Sequence, residues 1–198
     1  MKQIVIASNN KGKLEEFAKI FTEFNIEVIP QNVMNVPEID EPYITFIENS
    51  LHKARHCAKH TGLPALADDS GICVPALQNK PGIYSARYAG IPKSDLNNLN
   101  KLLEDMKKLD NRKAYFYCSL VFVRNHEDPQ PIIAEGIFHG EITTIARGTH
   151  GHGYDPIFLI PELAKTAAEL SSEEKSRVSH RGLAMQLMTK RLKEFNLI

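Results

Sequence analysis

Gln3-Ile4-Val5-Ile6-Ala7-Ser8-Asn9-Asn10-Lys11-Gly12-Lys13-Leu14 runs from branched aliphatics into a polar turn, and from Leu14 onward the apolar positions change period. Gln3 to Ala7 reads as a short buried strand, whereas Leu14, Phe17, Ala18, Phe21 and Phe24 recur at helical spacing with charges between them. The chain therefore opens as strand, polar turn and helix. Backbone N–H groups at such a turn, with the positive end of the helix dipole, form a natural seat for a phosphate.

Outward from this unit, Ile26 to Ile29 reads as a second strand and Gln31 to Tyr43 as a loop holding Glu38, Asp40 and Glu41. Thr45-Phe46-Ile47-Glu48 is a capping box, and Ile47, Leu51, Ala54 and Ala58 form the apolar stripe of a helix over about residues 46–60, ending near Gly62-Leu63-Pro64. Ala65 to Ala67 is a short strand running into Asp68-Asp69-Ser70-Gly71. A helix over about residues 95–109 carries Leu96, Leu99, Leu102, Leu103, Met106 and Leu109. Ala114 to Arg124 and Pro131 to His139, separated by Asn125-His126-Glu127-Asp128, predict a hairpin. A last helix bears Leu183, Ala184, Leu187, Met188, Leu192 and Phe195, with a start at Ser179. Three to four helices among six or more strands make an α/β fold with a mixed sheet, and no repeat or linker divides residues 1–198, which predicts a single domain.

Composition narrows the function. With 198 residues, 42% of them hydrophobic, the chain is long enough for a sizeable core without disulfides or structural metal. Its 24 Lys+Arg balance 24 Asp+Glu, so no global field draws it to nucleic acid or to an anionic membrane, and any anion site must be a local cluster. Tyr115 to Val123 is about half of the ~20 residues a membrane helix needs. No signal-peptide core follows Met1, and Cys57, Cys73 and Cys118 form no C-x-x-C pair, so a cytosolic protein with reduced thiols is expected.

Several segments could carry chemistry. Ser8 to Lys13 is not a P-loop, since the earlier glycine is missing and Leu14 stands where Ser or Thr is needed; the residues alone leave a phosphate turn and an ordinary polar turn equally open. Asp68-Asp69-Ser70-Gly71 taken alone reads as a tight turn. Beside Lys13, Lys53 and the acidic loop it also reads as half of a magnesium and triphosphate site, because Mg²⁺ takes one or two protein carboxylates and completes its shell with water and phosphate. His52, His56 and His60 share a helical face at zinc-compatible spacing, but Lys53, Arg55 and Lys59 mark that helix as solvated and basic. His150-Gly151-His152-Gly153-Tyr154-Asp155 resembles the metal turn of metallo-β-lactamase-type hydrolases with the spacing off by one, and as a dinucleotide motif it lacks the third glycine. Lys175, Arg177, His180 and Arg181 cluster around Ser179. Alone they lean toward surface charges at a helix start, with an anion or base-edge clamp as the alternative.

In order, six blocks resemble the inosine triphosphate pyrophosphatase family, also called XTP/dITP diphosphatases. They are Ser8 to Lys13, Thr45 to Asn49, Ala67 to Gly71, Pro81 to Tyr88, Gly153 to Phe158, and Ser179-His180-Arg181, and together they span nearly the whole chain. The resemblance implies a twisted mixed β-sheet flanked by helices, with two lobes around a central cleft, in a homodimer. It implies Mg²⁺-dependent hydrolysis of ITP, dITP and XTP to monophosphate and pyrophosphate, which cleanses the nucleotide pool. On this chain Ser8, Asn9, Asn10, Lys11, Gly12, Lys13 and Lys53 would face the phosphates. Glu41 and Asp69 would hold Mg²⁺, and Asp69 would also be the general base. Ser70, His152, Gly153, Tyr154, Asp155, Lys175, His180 and Arg181 would serve substrate binding toward the purine. His152 departs from the aromatic residue usual at its position, and His150 from glycine; imidazole still stacks, and it brings pH dependence. Two other readings remain open: a zinc hydrolase built on His150, His152 and Asp155, and a silent nucleotide-binding sensor.

Overall fold

The structure, a computed structural model, describes residues 1–198. The fold is mixed α/β, with a twisted, open, mixed sheet of eight strands flanked by helices. Its strands are β1 (Gln3–Ile6), β2 (Glu27–Pro30), β3 (Ala65–Val74), β4 (Lys80–Pro81), β5 (Lys113–Val123), β6 (Ile132–Ile142), β7 (Phe158–Ile160) and β8 (Lys165–Thr166). They are ordered β2-β1-β3-β5-β6-β7-β8, with β4 paired to β3. β1 runs parallel to both β2 and β3; β4 runs antiparallel to β3, as do β7 to β6 and β8 to β7.

The helices are α1 (Lys11–Thr22), α2 (Phe46–Thr61), α3 (Asp95–Asp105), α4 (Ser172–Val178) and α5 (His180–Glu194). Their starts follow the capping logic of the sequence. Asn10 caps α1 by accepting from the Lys13 N–H, Thr45 caps α2 by accepting from the Glu48 N–H, and Ser94 caps α3 by accepting from the Asn97 N–H. Gly62 closes α2 at φ 68°, a left-handed angle that glycine takes without steric cost.

The chain divides into two compact units. One comprises Met1–Asp69, Ser119–Glu135 and Ala184–Ile198, with an apolar core that includes Val5, Ala54, Cys57, Ala65, Ala67, Val121 and Val123. The other comprises Ser70–Cys118 and Gly136–Leu183, around Ile72, Leu102, Met106, Phe116, Phe138, Phe158 and Leu170. All three cysteines are buried thiols, and burial pushes Cys57 up to about 12.

Three expectations need correction. Asp68-Asp69-Ser70-Gly71 is not a turn but the interior of β3, which continues to Val74, and both aspartates are buried. The helix expected to reach residue 109 ends at Asp105, with Met106 as its C-cap. Residues 172–178, expected to carry surface charges before a helix, are themselves helical. Ser171 and Glu174 form the reciprocal capping box that starts α4, a signature present in Ser171-Ser172-Glu173-Glu174.

Candidate active site

In the first unit, the turn after β1 is shaped by its own side chains. Ser8 Oγ accepts from the Asn10 N–H at 3.2 Å, Asn10 Oδ1 accepts from the Lys13 N–H at 3.1 Å, and Asn9 Nδ2 donates to Glu38 Oε1 at 3.0 Å. Lys11 and Gly12 lie exposed on the first turn of α1. Lys13 points instead to β3, where its Nζ donates to Asp68 Oδ1 at 2.8 Å.

Lys53, on α2, is the pivot of the acidic group. Its Nζ lies 2.5 Å from Glu41 Oε1 and 3.7 Å from Asp69 Oδ1. Burial on its own would lower the Lys53 ammonium pKa, but Asp69, Asp68 and Glu41 outweigh it and leave the pKa raised. Burial pushes the Asp69 carboxyl up to about 6. Lys53 opposes that rise, Glu41 and Asp68 add to it, and the Asn49 amide opposes it. Asn49, on the first turn of α2, joins this group. Its Nδ2 lies 3.3 Å from Asp69 Oδ2 and 3.2 Å from the Tyr43 carbonyl, and its Oδ1 accepts from the Tyr43 N–H at 3.0 Å. One buried amide thus fixes both the end of the acidic loop and the Asp69 carboxylate, a part that its position one turn into a capped helix only hinted at.

Glu41 and Asp69 offer hard oxygen donors beside a second aspartate, and such a donor set suits a magnesium ion. No three His, Cys, Asp or Glu side chains are grouped to hold a metal by themselves. A low count of protein ligands is what Mg²⁺ completes with water and phosphate. The histidines of α2 serve their own surroundings: His56 Nε2 pairs with the Pro37 carbonyl at 2.8 Å, His60 Nδ1 with the His56 carbonyl at 2.9 Å, and His52 meets Tyr43 edge-on.

In the second unit, Asp155 is the hub of the glycine turn. Only 2% exposed, it accepts at Oδ2 from the His152 N–H at 2.8 Å and from Lys175 Nζ. Its carboxylate is committed to the turn and to α4, which argues against Asp155 as a zinc ligand alongside His150 and His152. Gly151 is required here: at φ +77° a Cβ would lie 2.2 Å from Asp155 Oδ2. His152 is exposed, Gly153 donates its N–H to Asp95 Oδ2 at 3.0 Å, and the Tyr154 hydroxyl donates to the Ser85 carbonyl at 2.7 Å.

Arg181 and Lys175 are not surface charges. Arg181 is 7% exposed with Nη2 at 3.5 Å from Ser70 Oγ, Lys175 is ion-paired to Asp155, and His180 stacks on Phe116 with rings 4.9 Å apart at 14°. Ser179 caps α5, accepting at Oγ from the Gly182 N–H at 3.1 Å. The structure therefore groups Ser8 to Lys13, Glu41, Lys53 and Asp69 in one unit, and Ser70, His152 to Asp155, Lys175, His180 and Arg181 in the other.

The chain is thus a mixed α/β protein that carries a cluster of acids and lysines drawn from α1, the loop before α2, α2 and β3. The Ham1 family profile matches residues 4–191, and the chain belongs to that family. It is 54% identical to a protein of Nitrosomonas europaea named dITP/XTP pyrophosphatase, over 98% of this chain and 96% of that one. A protein of the same name from Burkholderia pseudomallei is 53% identical over 97% and 94% of the two chains. Among solved structures, a HAM1 protein from Coxiella burnetii superposes with a TM-score of 0.94 at 45% identity, covering 98% of this chain and all of that one. The Ham1 protein of Staphylococcus aureus gives 0.90 at 41% identity, covering 98% and 99%. No helix is long and apolar enough to cross a membrane.

Proposed function

We propose that this protein hydrolyses dITP, XTP and ITP to the monophosphate and pyrophosphate with Mg²⁺, removing deaminated purine nucleotides from the pool. The chain is an enzyme, a nucleoside triphosphate pyrophosphatase, in keeping with the dITP/XTP pyrophosphatase name of its full-length relatives at 50–54% identity. The observation that carries the finer reading is Asp69: a carboxylate pushed up to about 6, beside Lys53 and Glu41, at the interior of a strand.

Each group has a physical task. The Ser8 to Lys13 turn offers backbone N–H groups, with Asn9, Lys11 and Lys13, to phosphate oxygens. Glu41 and Asp69 would hold Mg²⁺, which when bound supplies charge stabilisation and orientation on the phosphates. The Asp69 carboxylate accepts the proton of the attacking water, a task served by a pKa near working pH and typically worth 10²- to 10⁴-fold in rate. Lys53 keeps the Asp69 proton exchangeable by opposing the rise that burial imposes. Asn49 holds the carboxylate in one orientation.

On the base side, Arg181 and His180 present donors to a 6-keto oxygen, and a 6-amino group would leave those donors without a partner. Such hydrogen-bond selection can reach 10⁴- to 10⁵-fold. Ser70 and Asp155 with Lys175 fix the surroundings of Arg181 and of the glycine turn, and His152 with its exposed imidazole offers a stacking face. Homodimeric assembly and a cytosolic location belong to the same proposal.

The test is pyrophosphate release from dITP, ITP, XTP, GTP and ATP at equal concentration with Mg²⁺, run beside Asp69→Asn. Fast release from the deaminated purines alone, lost in the variant, supports the reading. Nucleotide binding without turnover in the wild type would point to a sensor instead.

A further inference from the structure

The glycine turn is held by two sets of contacts. Gly151 and His152 are fixed through Asp155 and Lys175. Gly153 and Tyr154 are fixed to a different segment, residues 85–98, by the bond of the Gly153 N–H to Asp95 Oδ2 and that of the Tyr154 hydroxyl to the Ser85 carbonyl. That segment is itself braced. Asn98, 2% exposed, accepts at Oδ1 from the Ala89 N–H at 2.7 Å and donates from Nδ2 to the Ala86 carbonyl at 3.1 Å. Ser94 caps the helix on which Asp95 stands, so the carboxylate sits where the helix dipole favours it.

The His152–Gly153 peptide is held at both of its polar ends: its carbonyl accepts from the Asp155 N–H at 3.3 Å, inside the turn, and its N–H donates to Asp95 Oδ2 at 3.0 Å, the shorter of the two bonds and the one that comes from another segment. The same peptide joins Gly153 to His152, which is exposed. We infer that Asp95 is a positioning residue for the base end of the nucleotide, holding the His152–Gly153 peptide in the orientation from which His152 meets the purine. The inference rests on the substrate reading above and adds to it a residue on α3 that no motif marked.

Two variants separate this role from a contribution to helix α3. Asp95→Asn and Asp95→Ala both remove the charge at the helix start, but only Asn keeps an oxygen for the Gly153 N–H. For dITP and XTP, Asp95→Ala is expected to raise KM about fivefold, the scale of one hydrogen bond, with kcat within about twofold of wild type. Asp95→Asn is expected to restore a KM near wild type although the two variants melt alike. Inhibition by inorganic tripolyphosphate, which has no base, should be unchanged in both. Equal KM values in the two variants, a loss confined to kcat, or weakened tripolyphosphate inhibition in an active enzyme overturns the positioning role alone. A wild-type enzyme that releases no pyrophosphate from any purine triphosphate overturns the substrate reading and this inference with it.

Discussion

Lys13 Nζ donates to Asp68 Oδ1 at 2.8 Å, tying the first turn of α1 to the interior of β3, with 22% of the lysine side chain exposed and 1% of the aspartate. The lysine that the family resemblance sets against the phosphates is thus also the cation that balances a buried carboxylate. Lys13→Met should lower stability by about 2 kcal/mol, since removing one partner of a buried ion pair leaves the other charge poorly compensated. Asp68→Asn, which retains an acceptor for the lysine, should cost less. Chemical denaturation of the two variants checks the order, and equal losses would contradict it.

Asp69 presents the opposite balance, because its environment disfavours the charge that the proposed general-base role requires. Its carboxyl pKa is raised to about 6, so its contribution to stability is fully present below the unfolded value near 4 and is lost as pH rises through about 6. Asp69→Asn should therefore stabilise the metal-free protein at pH 8 by about 1 to 2 kcal/mol and have little effect at pH 4, while lowering kcat at least 10²-fold. Melting curves at the two pH values, paired with pyrophosphate release, test both halves. A variant less stable than wild type at pH 8 would overturn the electrostatic account.

Metal removal distinguishes the remaining enzyme readings. Chelation should abolish pyrophosphate release, and Mg²⁺ rather than Zn²⁺ should restore it, because the carboxylates of Glu41 and Asp69 are hard donors and Asp155 is committed to Lys175. Glu41→Gln should raise the half-saturating Mg²⁺ concentration about tenfold or more, while His150→Ala leaves it unchanged. Rescue by Zn²⁺ alone, with sensitivity at His150, would reverse the assignment.

Much of the fold could be read directly from the chain, because caps and periodicity are local. Thr45 and Glu48 start α2 where they predicted, Gly62 ends it, and the strand, turn and helix at Gln3 to Phe21 follow their apolar spacing. Asp68-Asp69-Ser70-Gly71 misled for a physical reason: its residues are rare in strands unless distant partners balance them. Lys13, Asn49 and Lys53, 16 to 55 positions away, supply that balance. Arg181 and Lys175 looked like surface charges for the same reason, since Ser70 and Asp155 meet them only in the folded chain. The resemblance placed those residues in the site; residue types and spacing alone did not.

Two glycines of one turn should respond differently to the same change. Gly151→Ala puts a Cβ 2.2 Å from Asp155 Oδ2 and 2.9 Å from its Cγ, so the carboxylate must move and its bonds to the His152 N–H and Lys175 are disturbed. Gly153→Ala meets no atom within 4 Å and bears only the left-handed backbone cost at φ +61°, about 1 to 2 kcal/mol. Gly151→Ala is expected to be the more destabilising and to raise KM for dITP more than Gly153→Ala does. Matched effects on melting and KM would show that the Asp155 hub is dispensable.

Asp128, in the turn between β5 and β6, gives a stability test remote from the chemistry. Its side chain is 1% exposed, and Arg124 bonds it through Nε at 2.9 Å and Nη2 at 2.5 Å, while the Arg124 and Gln130 N–H groups donate to it at 2.9 and 3.0 Å. The Arg124 guanidinium is the main cause that holds the carboxyl down at about 2, against a burial effect that opposes it. Because the folded pKa is depressed, the stabilisation is present above the unfolded value near 4 and is lost as pH falls through about 2. The difference corresponds to about 2 kcal/mol at neutral pH. Asp128→Asn should remove that amount at pH 7 and almost none at pH 2, so the wild-type and variant stability curves converge on acidification. Urea unfolding at a series of pH values measures the gap, and a constant difference between pH 7 and pH 2 would show that Asp128 acts through packing rather than through its charge.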